Sequence, residues 1–114
     1  MAKLKVETKA LKDGVTLVSL DGELDAHTSP SLEKVLEELF AKASYNIIIE
    51  LQNLKYISSH GVGVLMAALS DAQDGKGNIV LTEPTPLVAE VFRMLDVPSI
   101  FHLAPDRSAA LAAF

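Results

Sequence analysis

Two short polar segments hold most of the side chains that could do chemistry. One is Tyr56-Ile57-Ser58-Ser59-His60-Gly61-Val62-Gly63. It sets two hydroxyls at the entrance to a helical pattern and two glycines in what would be the first turn. A helix start presents unpaired N–H groups and a partial positive charge. A phosphoryl group on Ser59, or as second choice on Ser58, would be well placed there. The plainer alternative is that Ser59 only caps the helix. Glycine inside a helix costs about 1 kcal/mol relative to Ala, so close approach of another backbone or of a partner has to offset it. The other segment is Asp21-Gly22-Glu23-Leu24-Asp25-Ala26-His27-Thr28-Ser29, read as a polar loop leaving a strand. If that strand neighbours the one before Ser58, then Glu23, Asp25, His27 and Thr28 lie beside Ser58, Ser59, His60 and Gly61. The bland alternative is a solvated loop followed by a helix cap.

Catalysis and metal binding fit these residues poorly. Ser59, His27 or His60, and Asp25 are the right types for a nucleophile triad. The order Ser58-Ser59-His60-Gly61 does not match the Gly-x-Ser-x-Gly elbow, however, and 114 residues is short for such a hydrolase. Glu23, Asp25, His27 and His60 lack the His-x-x-x-His spacing of a zinc site. No Gly-x-x-x-x-Gly-Lys loop offers a nucleotide cradle. With no cysteine in the chain, disulfides, thiolate catalysis and cysteine-held metals are excluded. No catalytic residue, metal or cofactor is therefore assigned.

Ten Lys+Arg against fifteen Asp+Glu give a formal charge of −5, which opposes a nucleic-acid footprint. Lys3, Lys5, Lys9 and Lys12 read as solvent-facing positions at an edge strand. The longest apolar run, from Val62 to Leu69, is far short of the roughly 20 residues that span a membrane. The N-terminus alternates rather than forming a signal-peptide core. The expectation is a soluble, cytoplasmic protein without direct membrane insertion.

The elements that must position the two segments follow from periodicity. Leu4, Val6 and Thr8 alternate with Lys3, Lys5, Glu7 and Lys9 as a half-buried strand, and Lys12-Asp13-Gly14 turns into a second strand, 15–20. Ser29 as cap and Pro30 at the first position open a helix whose apolar face is Leu32, Val35, Leu36, Leu39 and Phe40. Ile47-Ile48-Ile49-Glu50-Leu51 reads as a central strand covered on both faces. A connection over 52–57 leads to a second helix from about Ser59 to Gln73. A strand at 79–82, a helix opened by 84–86, a short strand at 100–103 and a last helix over 109–114 complete the chain. The order β-β-α-β-α-β-α-β-α predicts an α/β fold in one domain spanning 1–114. Its mixed sheet has four to five strands, flanked by about four helices.

At both polar segments the chain resembles a STAS domain of the bacterial anti-sigma factor antagonist type. The run from Gly22 to Pro30 is similar to the family's loop before its first helix. Ile47 to Leu51, Leu54 and Tyr56 to Leu65 are similar to its central strand and switch loop. Val91 to Leu95, Ile100-Phe101 and Ala109 to Leu111 are similar to its C-terminal part. The resemblance implies a serine at the start of the second helix, here Ser59, that a partner anti-sigma factor with a histidine-kinase-like ATPase domain phosphorylates. It also implies a metal-dependent serine phosphatase that reverses the modification. The unphosphorylated form would bind the anti-sigma factor through Glu23, Asp25, His27, Thr28, Ser58, Ser59, His60 and Gly61. The family's usual loop reads Asp-Ser-Ser/Thr-Gly. In this chain Ser58 replaces the Asp, His60 stands in the second hydroxyl position, Glu50 replaces a frequent Asp, and Asp96 stands where a Gly often ends the third helix. Other STAS domains serve as constitutive assembly subunits, in lipid-transporting ABC complexes or stressosome-type scaffolds, and direct nucleotide binding by the fold is a third hypothesis. Those are the alternatives to a phosphoswitch.

Overall fold

The computed structural model describes residues 2–114. In chain order it contains β1 (Leu4–Ala10), a 3-10 turn (Lys12–Gly14), β2 (Val15–Leu24), α1 (Ser29–Ala41), β3 (Asn46–Ile57), α2 (Ser59–Asp74), β4 (Asn78–Thr82), α3 (Pro86–Met94), a second 3-10 turn (Val97–Ser99), β5 (His102–Ala104) and α4 (Arg107–Ala112). The five strands lie in the order β1-β2-β3-β4-β5. β1 runs antiparallel to β2 and every other pair is parallel. This is the mixed α/β sheet with four helices that the sequence predicts.

The isoleucine run shows why β3 is central. Ile47 and Ile49 join a large core with Leu32 and Leu36 of α1, Leu65 of α2, and Val88 and Phe92 of α3. Ile48, pointing the other way, joins Val15, Leu17, Val80 and Ala110 under the short α4. Both faces of the strand are therefore dry, as an unbroken β-branched run requires.

The strand ends differ from expectation. β2 continues through Asp21 and Gly22 to Leu24, and β3 continues through 52–57, where the sequence suggests a loop and a connection. The two extensions pair with each other, ending at Leu24 opposite Ile57, with register shifts after Ser19 and after Gly22. Leu24, Leu54 and Ile57 are all buried, and their burial holds the polar residues between them in the sheet. Gly22 sits at φ +120° with the Lys3 backbone packed where a Cβ would be, so only glycine fits. Thr8, expected inward, is exposed, whereas Leu4 and Val6 earlier in the same strand are half-buried against the core.

Three smaller boundaries also move. Thr28, not Ser29, holds the cap position of α1. The last strand begins at His102 after a 3-10 turn, and α4 begins at Arg107 on an Asp106 cap rather than at Ala109. Asp96 adopts the left-handed conformation, φ 60°, at the end of α3, the turn role expected of an aspartate in a glycine position.

Candidate functional site

Because β2 and β3 are parallel neighbours, their C-terminal ends leave the sheet side by side. The Ser58 amide donates to the Leu24 carbonyl oxygen at 2.9 Å. This bond joins the Asp25 loop to the entrance of α2. The two polar segments are thus brought together by strand pairing, although 33 positions separate Asp25 from Ser58.

The Asp25 loop is a closed hydrogen-bond unit. Asp25 Oδ1 accepts the His27 amide at 2.9 Å and the Thr28 amide at 3.0 Å. Thr28 Oγ1 accepts the Asp25 amide at 3.0 Å and donates to the Glu23 carbonyl oxygen at 2.8 Å. The Ser29 amide donates to the Asp25 carbonyl oxygen at 2.9 Å. Charge-assisted acceptance of the Thr28 amide holds the Asp25 carboxyl below the usual aspartate range; desolvation opposes this, and the His27 amide and the Thr28 hydroxyl add to the lowering. Thr28 is buried and spent on the loop, whereas His27 is exposed.

The two serines at the α2 entrance have different positions. Ser58 has extended backbone and its Oγ accepts the Gly61 amide at 3.1 Å. Ser58 is therefore the cap, where the sequence left Ser59 as a candidate for that role. Ser59 is the first helical residue and is exposed beside the exposed His60. The two glycines also separate. A Cβ on Gly61 would stand 2.7 Å from the Leu24 carbonyl oxygen and 2.9 Å from Ile57 Cγ1. Gly61 is accordingly buried where α2 meets the ends of β2 and β3. A Cβ on Gly63 would meet nothing within 4 Å, so that position is open to solvent.

Among the described residues, no group of three or more His, Cys, Asp or Glu is gathered closely enough to hold a metal ion. No helix among them is long and apolar enough to cross a membrane.

Sequence reasoning missed two features around this centre. Tyr56 is opposite Glu23 in the β2–β3 register and is 41% exposed. Alternation gives no signal for this, since Tyr56 shares parity with buried Leu54 and would be expected inward. The other feature is on the α4 side of the sheet. Glu50, buried, accepts from Arg107 through both oxygens, at 2.8 and 3.2 Å, and from the Ser19 hydroxyl at 3.4 Å. The Glu50 carboxylate holds the Arg107 guanidinium above its ordinary value. Residues 57 positions apart leave no local pattern that announces such a pair.

Residues 8–110 match the family model for the STAS domain. BtrV of Bordetella bronchiseptica, named as a candidate anti-sigma factor antagonist, is 34% identical over 102 residues, covering 90% of this chain and 88% of its own. The crystal structure of an anti-sigma factor antagonist from Mycobacterium paratuberculosis superposes with a TM-score of 0.87 at 24% identity, over 97% of this chain and 93% of that one. The Bacillus cell fate determinant SpoIIAA in its phosphorylated form superposes with a TM-score of 0.74 at 19% identity, over 96% of this chain and all of that one (100%).

Proposed function

This chain belongs to the STAS domain family, and from that premise we propose that it is an anti-sigma factor antagonist gated by phosphorylation at Ser59. It is a regulatory binding protein and not an enzyme, in keeping with relatives named for antagonism of another protein. In this reading the unphosphorylated form docks on an anti-sigma factor that carries a histidine-kinase-like ATPase domain. That partner phosphorylates Ser59 and releases the antagonist, and a metal-dependent serine phosphatase restores it.

The observation that carries the reading is the division of labour between the serines. Ser58 satisfies the first turn through Gly61, which leaves the exposed Ser59 out of the cap. A phosphoryl group there adds about −1.5 to −2 charge at a helix N-terminus, which stabilises it. The formal charge of −5 then becomes roughly −6.5 to −7. The new charge stands next to the loop of Glu23 and Asp25, tied to Ser58 through Leu24. An acidic partner surface would be repelled, and a few lost central contacts are enough for a large drop in affinity. That SpoIIAA has been solved in a phosphorylated form supports the idea that this fold tolerates the modification.

The test is incubation with a candidate anti-sigma kinase from the same organism and ATP, followed by intact-mass measurement. One phosphate is expected on the wild type and on Ser58→Ala, and none on Ser59→Ala. Ser59→Ala should keep binding and Ser59→Asp should weaken it. Retained binding with no phosphate gain would instead assign the chain to constitutive assembly.

A further inference from the structure

Helices α1 and α2 lie side by side over the large core and leave an apolar groove between them. A cavity of about 80 Å³ opens there, floored by Leu36 and Phe40 of α1 and by Val64 and Ala68 of α2. Leu36, Val64 and Ala68 are buried. Phe40 is half-buried and fixed by stacking on Tyr45, with ring centroids 5.6 Å apart. The floor is thus set in advance for one apolar side chain, which is how a docking pocket takes an anchor. Its rim holds the exposed Ala67 and three exposed carboxylates, Glu33, Glu37 and Asp71.

The charges on the rim decide what can occupy the groove. Among the described residues, no Lys, Arg or His lines it, and none of the ion pairs, Lys5–Glu7, Glu90–Arg93 and Glu50–Arg107, uses its carboxylates. Glu33 and Glu37 are four apart on one helix, a spacing at which like charges disfavour the helix. A cation beside them relieves that repulsion, and an acidic occupant adds to it. The three carboxylates are too dispersed to gather on one metal ion, so cations spaced along a chain match them better. A second copy of this chain has no helix that supplies such cations. Its α1 carries only Lys34, beside Glu33, Glu37 and Glu38, and its α2 carries no Lys or Arg. The single arginines of α3 and α4 are already paired, with Glu90 and Glu50. We propose that the α1–α2 groove is a docking site for a basic amphipathic helix of another protein. An apolar residue of that helix enters the cavity, and Arg or Lys residues a turn to either side meet the carboxylates, the arrangement of a helix laid in a groove. The proposal does not depend on phosphorylation of Ser59.

The probe is a fluorescently labelled amphipathic peptide of about 18 residues, built from Leu and Arg at helical spacing and titrated with the full chain at low salt. Its control carries Glu in place of Arg. Anisotropy should show saturable binding of the Arg peptide and none of the Glu peptide. Glu37→Lys together with Asp71→Lys should weaken binding at least about tenfold. Glu7→Lys together with Asp13→Lys makes the same change in net charge away from the groove, and should weaken it less than about threefold. Ala67→Trp fills the groove without changing any charge and should also cost at least about tenfold. All of these positions are exposed, and far-ultraviolet circular dichroism checks that the variants keep the fold. No saturable binding by the wild type overturns the proposal. An equal loss in the two double variants overturns it as well, since that is diffuse attraction to an acidic chain, and so does binding unchanged by Ala67→Trp. A wild-type dimer in sedimentation that Ala67→Trp breaks would give the groove to a second copy instead.

Discussion

The Leu24 carbonyl oxygen accepts the Ser58 amide at 2.9 Å and also stands 2.7 Å from where a Cβ on Gly61 would be. One backbone atom at the end of β2 therefore sets both the start of α2 and the residue its first turn can carry. The exposed Ser59 lies between these two contacts, so its position relative to the Asp25 loop is decided by strand pairing.

Gly61→Ala should be costly. The atom in the way is backbone, so either the strand end or the helix must move, and about 1–3 kcal/mol should be lost. Gly63→Ala meets open space and should stabilise the helix by about 0.5–1 kcal/mol. Urea unfolding midpoints at unchanged slope measure both. Equal losses at the two positions would contradict the packing described.

The two serines should separate in stability as they do in geometry. Ser58→Ala removes a cap and should cost about 1 kcal/mol. Ser59→Ala should stay within about 0.5 kcal/mol of the wild type. Thermal denaturation of the two variants side by side decides this, and the reverse order would return the cap to Ser59.

Arg107→Ala leaves the Glu50 carboxylate buried without its cation. Breaking a fully buried pair costs about 3–5 kcal/mol. The Arg107 side chain is 45% exposed, however, so water can partly replace it and about 1–3 kcal/mol is expected. Arg107→Lys should recover only part, because an ammonium cannot meet both carboxylate oxygens as the guanidinium fork does. Chemical denaturation of the three proteins would expose a surface-only role if Arg107→Ala were silent.

Thr82 is fully buried, and its Oγ1 has no hydrogen-bond partner. Thr82→Val keeps the shape and removes the unsatisfied hydroxyl, so a gain of about 1 kcal/mol is expected. A loss of that size would mean that the hydroxyl is bonded in solution.

Acid should loosen the Asp25 loop late. Because amide hydrogen bonds depress the folded carboxyl below the ordinary 3.8, the loop's contribution is fully present above that value. It is lost as pH falls through the lower folded value. Amide resonances of His27 and Thr28 should therefore titrate with a midpoint below 3.8. Asp25→Asn, which keeps an acceptor oxygen, should hold the loop shape and abolish that titration.

Much of the architecture was legible because local rules act over a few residues. Alternation in β1, the isoleucine run of β3 and the apolar faces of α1 and α3 each follow from side-chain period against one core. The ends of β2 and β3 were not legible in the same way. Asp21, Gly22, Glu23, Gln52, Asn53 and Lys55 are loop-type residues, and they stay in the sheet because Leu24, Leu54 and Ile57 are buried beneath helices that come from elsewhere in the chain. Propensity yields where tertiary burial is larger.

By itself the sequence determined the residue types of the site, the helix entrance that carries two serines, and the acidic, cysteine-free character of the chain. Only the tertiary structure decided which serine caps, which glycine is obligatory, that Asp25 lies beside Ser58, and that Glu50 meets Arg107. The reason is physical. Caps and close approaches depend on where a second strand or helix arrives, to within about half an ångström, and that arrival is a property of the whole packed core rather than of any window of residues.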